Sequence, residues 1–423
     1  MKRIILLLAA LALALTAAPV SAENITADWM TRQFKTRDVI GGAVIISRYG
    51  ETVFSMTYGS KSAHVYDPVT LDTCFRIASV TKMVSAVGLM RLYDQGYFNL
   101  DAPLGEVLPF QVLNSAYPDS PPTVRQALSH TTGLLQTQTT QINWAYVSQR
   151  NTEKFFKPYT RPGTFYIYSN ANGAFYGALI EALTGQSVNT YMAQNVFAPL
   201  SVNAAYTTSL LPDASDVSNR MSKTGGNLMS RSRAMEEEYE DTCNPARHLT
   251  PTVGNLHISA NGLNRIGMML CNEGYLDGVR ILSPYTVRLM QADQRDFPDS
   301  SVSGESPYGL SIQRVTDCYG NVWYGHQGMK EGLSSDLFYL PEQGLVVTVI
   351  ANGYSALKSG ALVSIAIRTM ERAVETDWDH YGVLPEEPSP ETTPVPGTEP
   401  DQTPDPDEDE GDEEPLPEWD FIF

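Results

Sequence analysis

The sequence is poor in the residues that metal, redox and nucleic-acid chemistry require. Four cysteines, at 74, 243, 271 and 318, are spread over 423 residues, and none has a CxxC partner. No HExxH or comparable spacing gathers the six histidines. The common zinc and thiol-redox motifs are therefore absent, and no metal or cofactor is expected. Lys and Arg number 29 against 48 Asp and Glu. That balance leaves no basic face for a phosphate backbone, so nucleic acid is not an expected partner. The apolar run Ile4–Leu15 is shorter than the ~20 residues that cross a bilayer. No internal repeat or linker-like stretch divides the chain between its two ends.

Those ends differ from the middle. Lys2 and Arg3 precede the apolar run, and Val20-Ser21-Ala22 has the small-x-small form of a cleavage site. Residues 1–22 thus read as a signal peptide, which implies an exported protein, extracellular or in the cell envelope. No cysteine follows the run to carry a lipid, so no membrane anchor is expected after cleavage. Export makes disulfides available, and four cysteines allow three full pairings. Their spacing suggests no compact framework, and buried free thiols fit equally well. Residues 384–423 hold ten Pro and fifteen Asp or Glu with no Lys or Arg. Such a segment buries too little apolar surface to offset chain entropy and should be a disordered, solubilising tail, with a spacer or surface contact as the alternative. The formal charge of −19 is therefore mostly the tail's, and the domain over 23–383 carries only about −6.

Within that domain, Ile40–Ser47 and Val53–Tyr58 flank Arg48-Tyr49-Gly50-Glu51, which reads as a hairpin. Leu333–Leu340 and Leu345–Ala351 flank Pro341-Glu342-Gln343-Gly344, a second hairpin. Ala356–Val374 is apolar at helical spacing and should pack on the resulting sheet. Hairpins rather than crossover helices join the strands. The expected fold is α+β, with an antiparallel sheet built from both chain ends, flanked by helices, and a mostly helical region inserted.

The chemistry is carried by Ser79-Val80-Thr81-Lys82, which opens an apolar helical run. Residues three apart share a helix face, so hydroxyl and amine lie side by side. At a helix start the serine also meets free backbone N–H groups able to stabilise an oxyanion. A neutral lysine can take the hydroxyl proton, and burial is what lowers its pKa from ~10.4. The pattern alone is weak. Ser355–Lys358 repeats it, Tyr-x-Asn occurs at Tyr97, Tyr168 and Tyr319, His-x-Gly at His326 and His380, and Lys223-Thr224-Gly225 is present.

One ordered set has the right flanks: Phe75-Arg76-Ile77-Ala78-Ser79-Val80-Thr81-Lys82, Leu128–Leu134 (LSHTTGL), Phe165-Tyr166-Ile167-Tyr168-Ser169-Asn170, and Tyr324-Gly325-His326-Gln327-Gly328. On these motifs residues 25–375 resemble the penicillin-binding and class C β-lactamase-like serine hydrolases, which include DD-carboxypeptidases, D-aminopeptidases and some esterases. The resemblance implies Ser79 as nucleophile, Lys82 as its base, and Tyr168 as the group trading protons with serine and leaving group. It implies Asn170 as the amide that holds Lys82 and the acyl side chain, and His326-Gln327-Gly328 as the far wall of the cleft. The Met329 N–H would complete an oxyanion hole with that of Ser79. His130 reads as structural. Asn261 stands where many relatives carry Asp, and reads as a structural substitution. Class C β-lactamases carry Lys where this chain has His326, and the related esterases an aromatic residue. Histidine looks more like the DD-carboxypeptidase and D-aminopeptidase branches. The implied partner is a small peptide, ester or β-lactam, cell-wall peptides included, with a D-amino-acid peptidase first, an esterase or amidase second and a β-lactamase third. A non-catalytic binding protein on the same fold is the alternative of another class. If His326 faces the substrate, its titration near ~6.5 should make recognition of a substrate carboxylate pH-dependent.

Overall fold

The computed structural model describes residues 24–381, except 63–64, 136–152, 222–226, 230–240, 248–250, 295–307, 331 and 354–358. The signal segment, the acidic tail and the Ser355–Lys358 and Lys223–Gly225 motifs lie outside the described residues.

After helix α1 (Ala27–Thr36) the chain forms strands β1 (Gly41–Arg48) and β2 (Glu51–Gly59). Their turn places Tyr49 and Gly50 both at positive φ, 51° and 87°. That is the backbone hand a two-residue hairpin needs to match strand twist. Strand β3 (Cys74–Arg76) leads into helix α2 (Val80–Asp94), and helix α3 (Asn170–Thr184) packs on α2. Later come β4 (His257–Ser259), helix α4 (Ala260–Cys271), strands β5 (Gln313–Thr316), β6 (Val322–Lys330), β7 (Leu333–Leu340) and β8 (Leu345–Asn352), and helix α5 (Ser359–Glu375). The main sheet runs β5-β6-β7-β8-β1-β2, antiparallel throughout, so the first and last strands of the domain meet at its centre. The register of that junction runs from Gly41 opposite Asn352 to Arg48 opposite Leu345.

Every residue of β7 and β8 is buried, so both faces of the sheet are covered. Period-two alternation sends Ile45, Leu337, Tyr339, Val346 and Ile350 to the α2, α3 and α4 side. Val44, Ile46, Phe338, Leu340, Val347 and Val349 face the opposite way, onto α1 and α5. Each such aliphatic side chain contributes roughly 1.5–3 kcal/mol of burial. Helix α2 is buried on every side except at Arg91, Tyr93 and Asp94, which makes it the axle of the helical body.

The four cysteines are free, Cys74 buried and Cys243 and Cys318 exposed. Asn261 donates to Asp72 Oδ1 at 2.7 Å, a tie between the start of α4 and the loop before β3 that explains an amide at this position. Tyr97 is exposed beyond the end of α2, Tyr319 is bound to Glu375 and His380 to Asp377, all at the surface. Among the described residues no helix is long and apolar enough to cross a membrane.

Candidate active site

Ser79 is the N-cap of α2 and Lys82 lies one turn on, so the spacing places both on the face turned towards α3. Lys82 Nζ is 3.1 Å from Ser79 Oγ and donates to the Val253 carbonyl at 2.8 Å. Its side chain is fully buried, and desolvation lowers its pKa to about 7. A large share of the amine is therefore neutral at neutral pH, with a lone pair able to take the serine proton. Room for the lysine stem comes from Gly173 on α3, where a Cβ would lie 2.7–2.9 Å from three Lys82 carbons.

Sequence reasoning passed over the second partner of Lys82. The short helix Pro251–Gly254 carries Val253, and Thr252 clamps it to α3 by donating to the Gly173 carbonyl at 2.8 Å and accepting from Gly177 N at 3.2 Å. Arg76 Nε donates to the Gly254 carbonyl at 2.8 Å, the Leu256 carbonyl accepts from Ile77 N at 3.0 Å, and Leu256 N donates to the Thr81 hydroxyl at 3.3 Å. No residue type announces a carbonyl acceptor, so no sequence signal marked Val253. Just before Ser79, Ala78 sits at φ 43°, a strained position for a residue with a side chain.

Strand β6 closes the opposite wall. At Gly328 a Cβ would meet the Ile77 carbonyl oxygen at 2.3 Å and Ser79 N at 3.0 Å, so only glycine lets the strand approach the Ser79 turn this closely. Ser335, opposite Gly328 on β7, donates to the same Ile77 carbonyl at 2.6 Å. Met329, next along β6, lines a cavity of about 360 Å³ together with Arg76, Ala78, Ser79, Asn170, Val253, Gly254, Asn255 and Lys330. Asn170, the first residue of α3, thus faces the same space as Ser79.

Tyr168 precedes the α3 cap Ser169. Its ring lies 5.2 Å from Lys82 Nζ, and burial raises its phenol pKa while the neighbouring Ser79 oxygen opposes that rise. The hydroxyl makes no formed hydrogen bond, so its contact with Ser79 falls short of ideal length or alignment. Resting hydrolytic sites commonly tighten such contacts only around a substrate.

His326 differs from the expectation. Its ring is 1 % exposed, Nδ1 donates to the Gln327 carbonyl at 2.5 Å, and Nε2 accepts from the Tyr308 hydroxyl at 3.0 Å. Burial and the nearby Lys82 lower its pKa to about 3. Both ring nitrogens are engaged within the protein, so His326 carries no charge at neutral pH and does not read a substrate carboxylate by titration near 6.5. The cations that line the cavity are Arg76 and Lys330. Among the described residues no group of acidic, histidine and cysteine side chains could hold a metal.

The beta-lactamase family model matches residues 26–368. Penicillin-binding protein 4 of Amycolatopsis lactamdurans is 26% identical over 298 residues, covering 67% of this chain and 74% of that protein. The D-aminopeptidase of Brucella ovis is 23% identical over 327 residues, 74% of this chain, which spans only 56% of its length. An octameric penicillin-binding protein homologue from Pyrococcus abyssi superposes with a TM-score of 0.65 at 20% identity, covering 83% of this chain and 77% of that one.

Proposed function

The chain belongs to the beta-lactamase family, and from that premise we propose that it is a serine hydrolase working through an acyl-enzyme at Ser79. The observation that carries the reading is the desolvated Lys82 amine 3.1 Å from the Ser79 hydroxyl. Ser79 Oγ attacks the substrate carbonyl carbon as Lys82 takes the hydroxyl proton. The N–H groups of Ser79 and Met329 stabilise the oxyanion. Collapse breaks the bond to the leaving group, which receives a proton through Tyr168. Water, deprotonated by the same Lys82 and Tyr168 pair, then attacks the ester carbon, frees the acid and restores the hydroxyl.

Peptides with a D-amino-acid residue at the scissile bond fit best, as in a D-Ala-D-Ala carboxypeptidase or a D-aminopeptidase. Relatives named penicillin-binding protein and D-aminopeptidase support that class, and the positive charge of Arg76 and Lys330 at the cavity favours the carboxypeptidase form, whose substrate ends in a free carboxylate. The uncharged His326 favours a second reading, an esterase of neutral acyl esters. The apolar start of the chain supports export, which periplasmic or medium fractionation tests directly.

Mass spectrometry after a fluorophosphonate or penicillin should place the adduct on the peptide containing Ser79. Ser79→Ala should lose at least 10³-fold in turnover with an unchanged melting curve. An adduct elsewhere, or an active alanine variant, overturns the assignment.

A further inference from the structure

Tyr168 is surrounded by groups to which the mechanism gives no work. His130, at φ 56°, bonds both flanks of the tyrosine: its carbonyl accepts from Ile167 N at 2.9 Å and its Nδ1 from Ser169 N at 3.2 Å. The Asn172 amide reaches the same Nδ1 at 3.2 Å. The His130 ring lies against the Tyr168 ring with centroids 4.4 Å apart. His326 stands 6.1 Å from that ring. Tyr308 links the two imidazoles, bonded to His326 Nε2 and packed edge-on to His130 at 5.1 Å. All of His130, Tyr308 and His326 are buried.

We propose that Tyr308, His326 and His130 form a positioning shell that fixes Tyr168 at Ser79, with the Tyr308 hydroxyl as its keystone. Its bond to Nε2 fixes the ring plane of His326, and burial beside Lys82 keeps that ring neutral, so that Nε2 can accept the bond. The groups facing His326 are Lys82 from α2, Tyr168 from the approach to α3, Tyr308, and beyond them His130, Tyr166 and Tyr176; none is a carboxylate that would favour the charged ring.

The test is the rate at which a fluorophosphonate acylates Ser79, followed against pH, alongside KM and kcat for a turned-over ester. Tyr308→Phe keeps the ring and loses the hydroxyl. It should acylate about 10-fold more slowly, as supporting groups of a site commonly do, with KM changed less than about 2-fold. Its acid limb should keep the one-proton form set by Lys82, because burial and Lys82 hold His326 neutral with or without the hydroxyl. His326→Gln still offers Tyr308 an acceptor and should keep most of the rate, and Tyr308→Phe/His326→Gln should lose no more than Tyr308→Phe alone. A Tyr308→Phe variant with the wild-type rate, or one whose loss lies in KM rather than in acylation, overturns the positioning role. The inference rests on the acyl-enzyme reading. Failure of the wild type to label at Ser79 removes both, whereas labelling of wild type and Tyr308→Phe at one common rate removes only the shell.

Discussion

A lysine without solvent is an unstable thing to bury, and Lys82 shows what the site costs the fold. The unfolded amine binds a proton up to about pH 10, while the folded one releases it near pH 7. Between those values the unfolded chain holds one more proton, so stability rises with pH, by about 1.4 kcal/mol per unit for one fully released proton. Lys82→Met should remove that slope, raise the melting temperature most below pH 7, and abolish turnover; denaturant melts of both proteins from pH 6 to 10 measure it. A wild-type stability flat across this window would mean that Lys82 is solvated. The serine–lysine pair was legible because a three-residue spacing fixes a helix face. The state of His326 was not, since its charge is set by burial and by Lys82, neither of which leaves a mark near residue 326.

At the scale of elements, the site depends on how closely β6 approaches the Ser79 turn. Gly328→Ala should drive the Met329 N–H away from the nucleophile, because the added carbon would lie 2.3 Å from a backbone oxygen that cannot give way. Displacement of about 1 Å at a reacting group costs on the order of 10²-fold. The expected result is a loss of that size in acylation rate with a drop of only a few degrees in melting temperature. An alanine variant of full activity would show that the strand tolerates retreat. The two hairpins were readable from turn chemistry, positive-φ residues at Tyr49-Gly50 and proline with glycine at 341–344. Strand β6 was harder to read. Gly325, His326, Gln327 and Gly328 break the apolar alternation that marks a strand, and only the motif resemblance suggested one. The helix Pro251–Gly254 is four residues long and has no periodicity to read.

At the scale of the whole molecule, the α+β arrangement was foreseeable because both hairpins lie at the chain ends and helical sequence lies between. The inward packing of that sequence was not, since the partners of a buried all-round helix such as α2 leave no pattern on its own surface. A chain ending at Val383 should keep its melting temperature within about 1 °C and its turnover of small substrates, because an acidic, proline-rich segment adds no core. A fall of several degrees, seen by calorimetry, would show that the tail packs on the domain. The Ser335 hydroxyl bonds the Ile77 carbonyl across 258 residues of sequence, tying the nucleophile's turn to a strand near the other end. During synthesis, then, Ser79 and Lys82 leave the ribosome long before β6 and β7 exist. Until those strands are present, the turn that carries Ser79 lacks the β6 and β7 wall against which it packs.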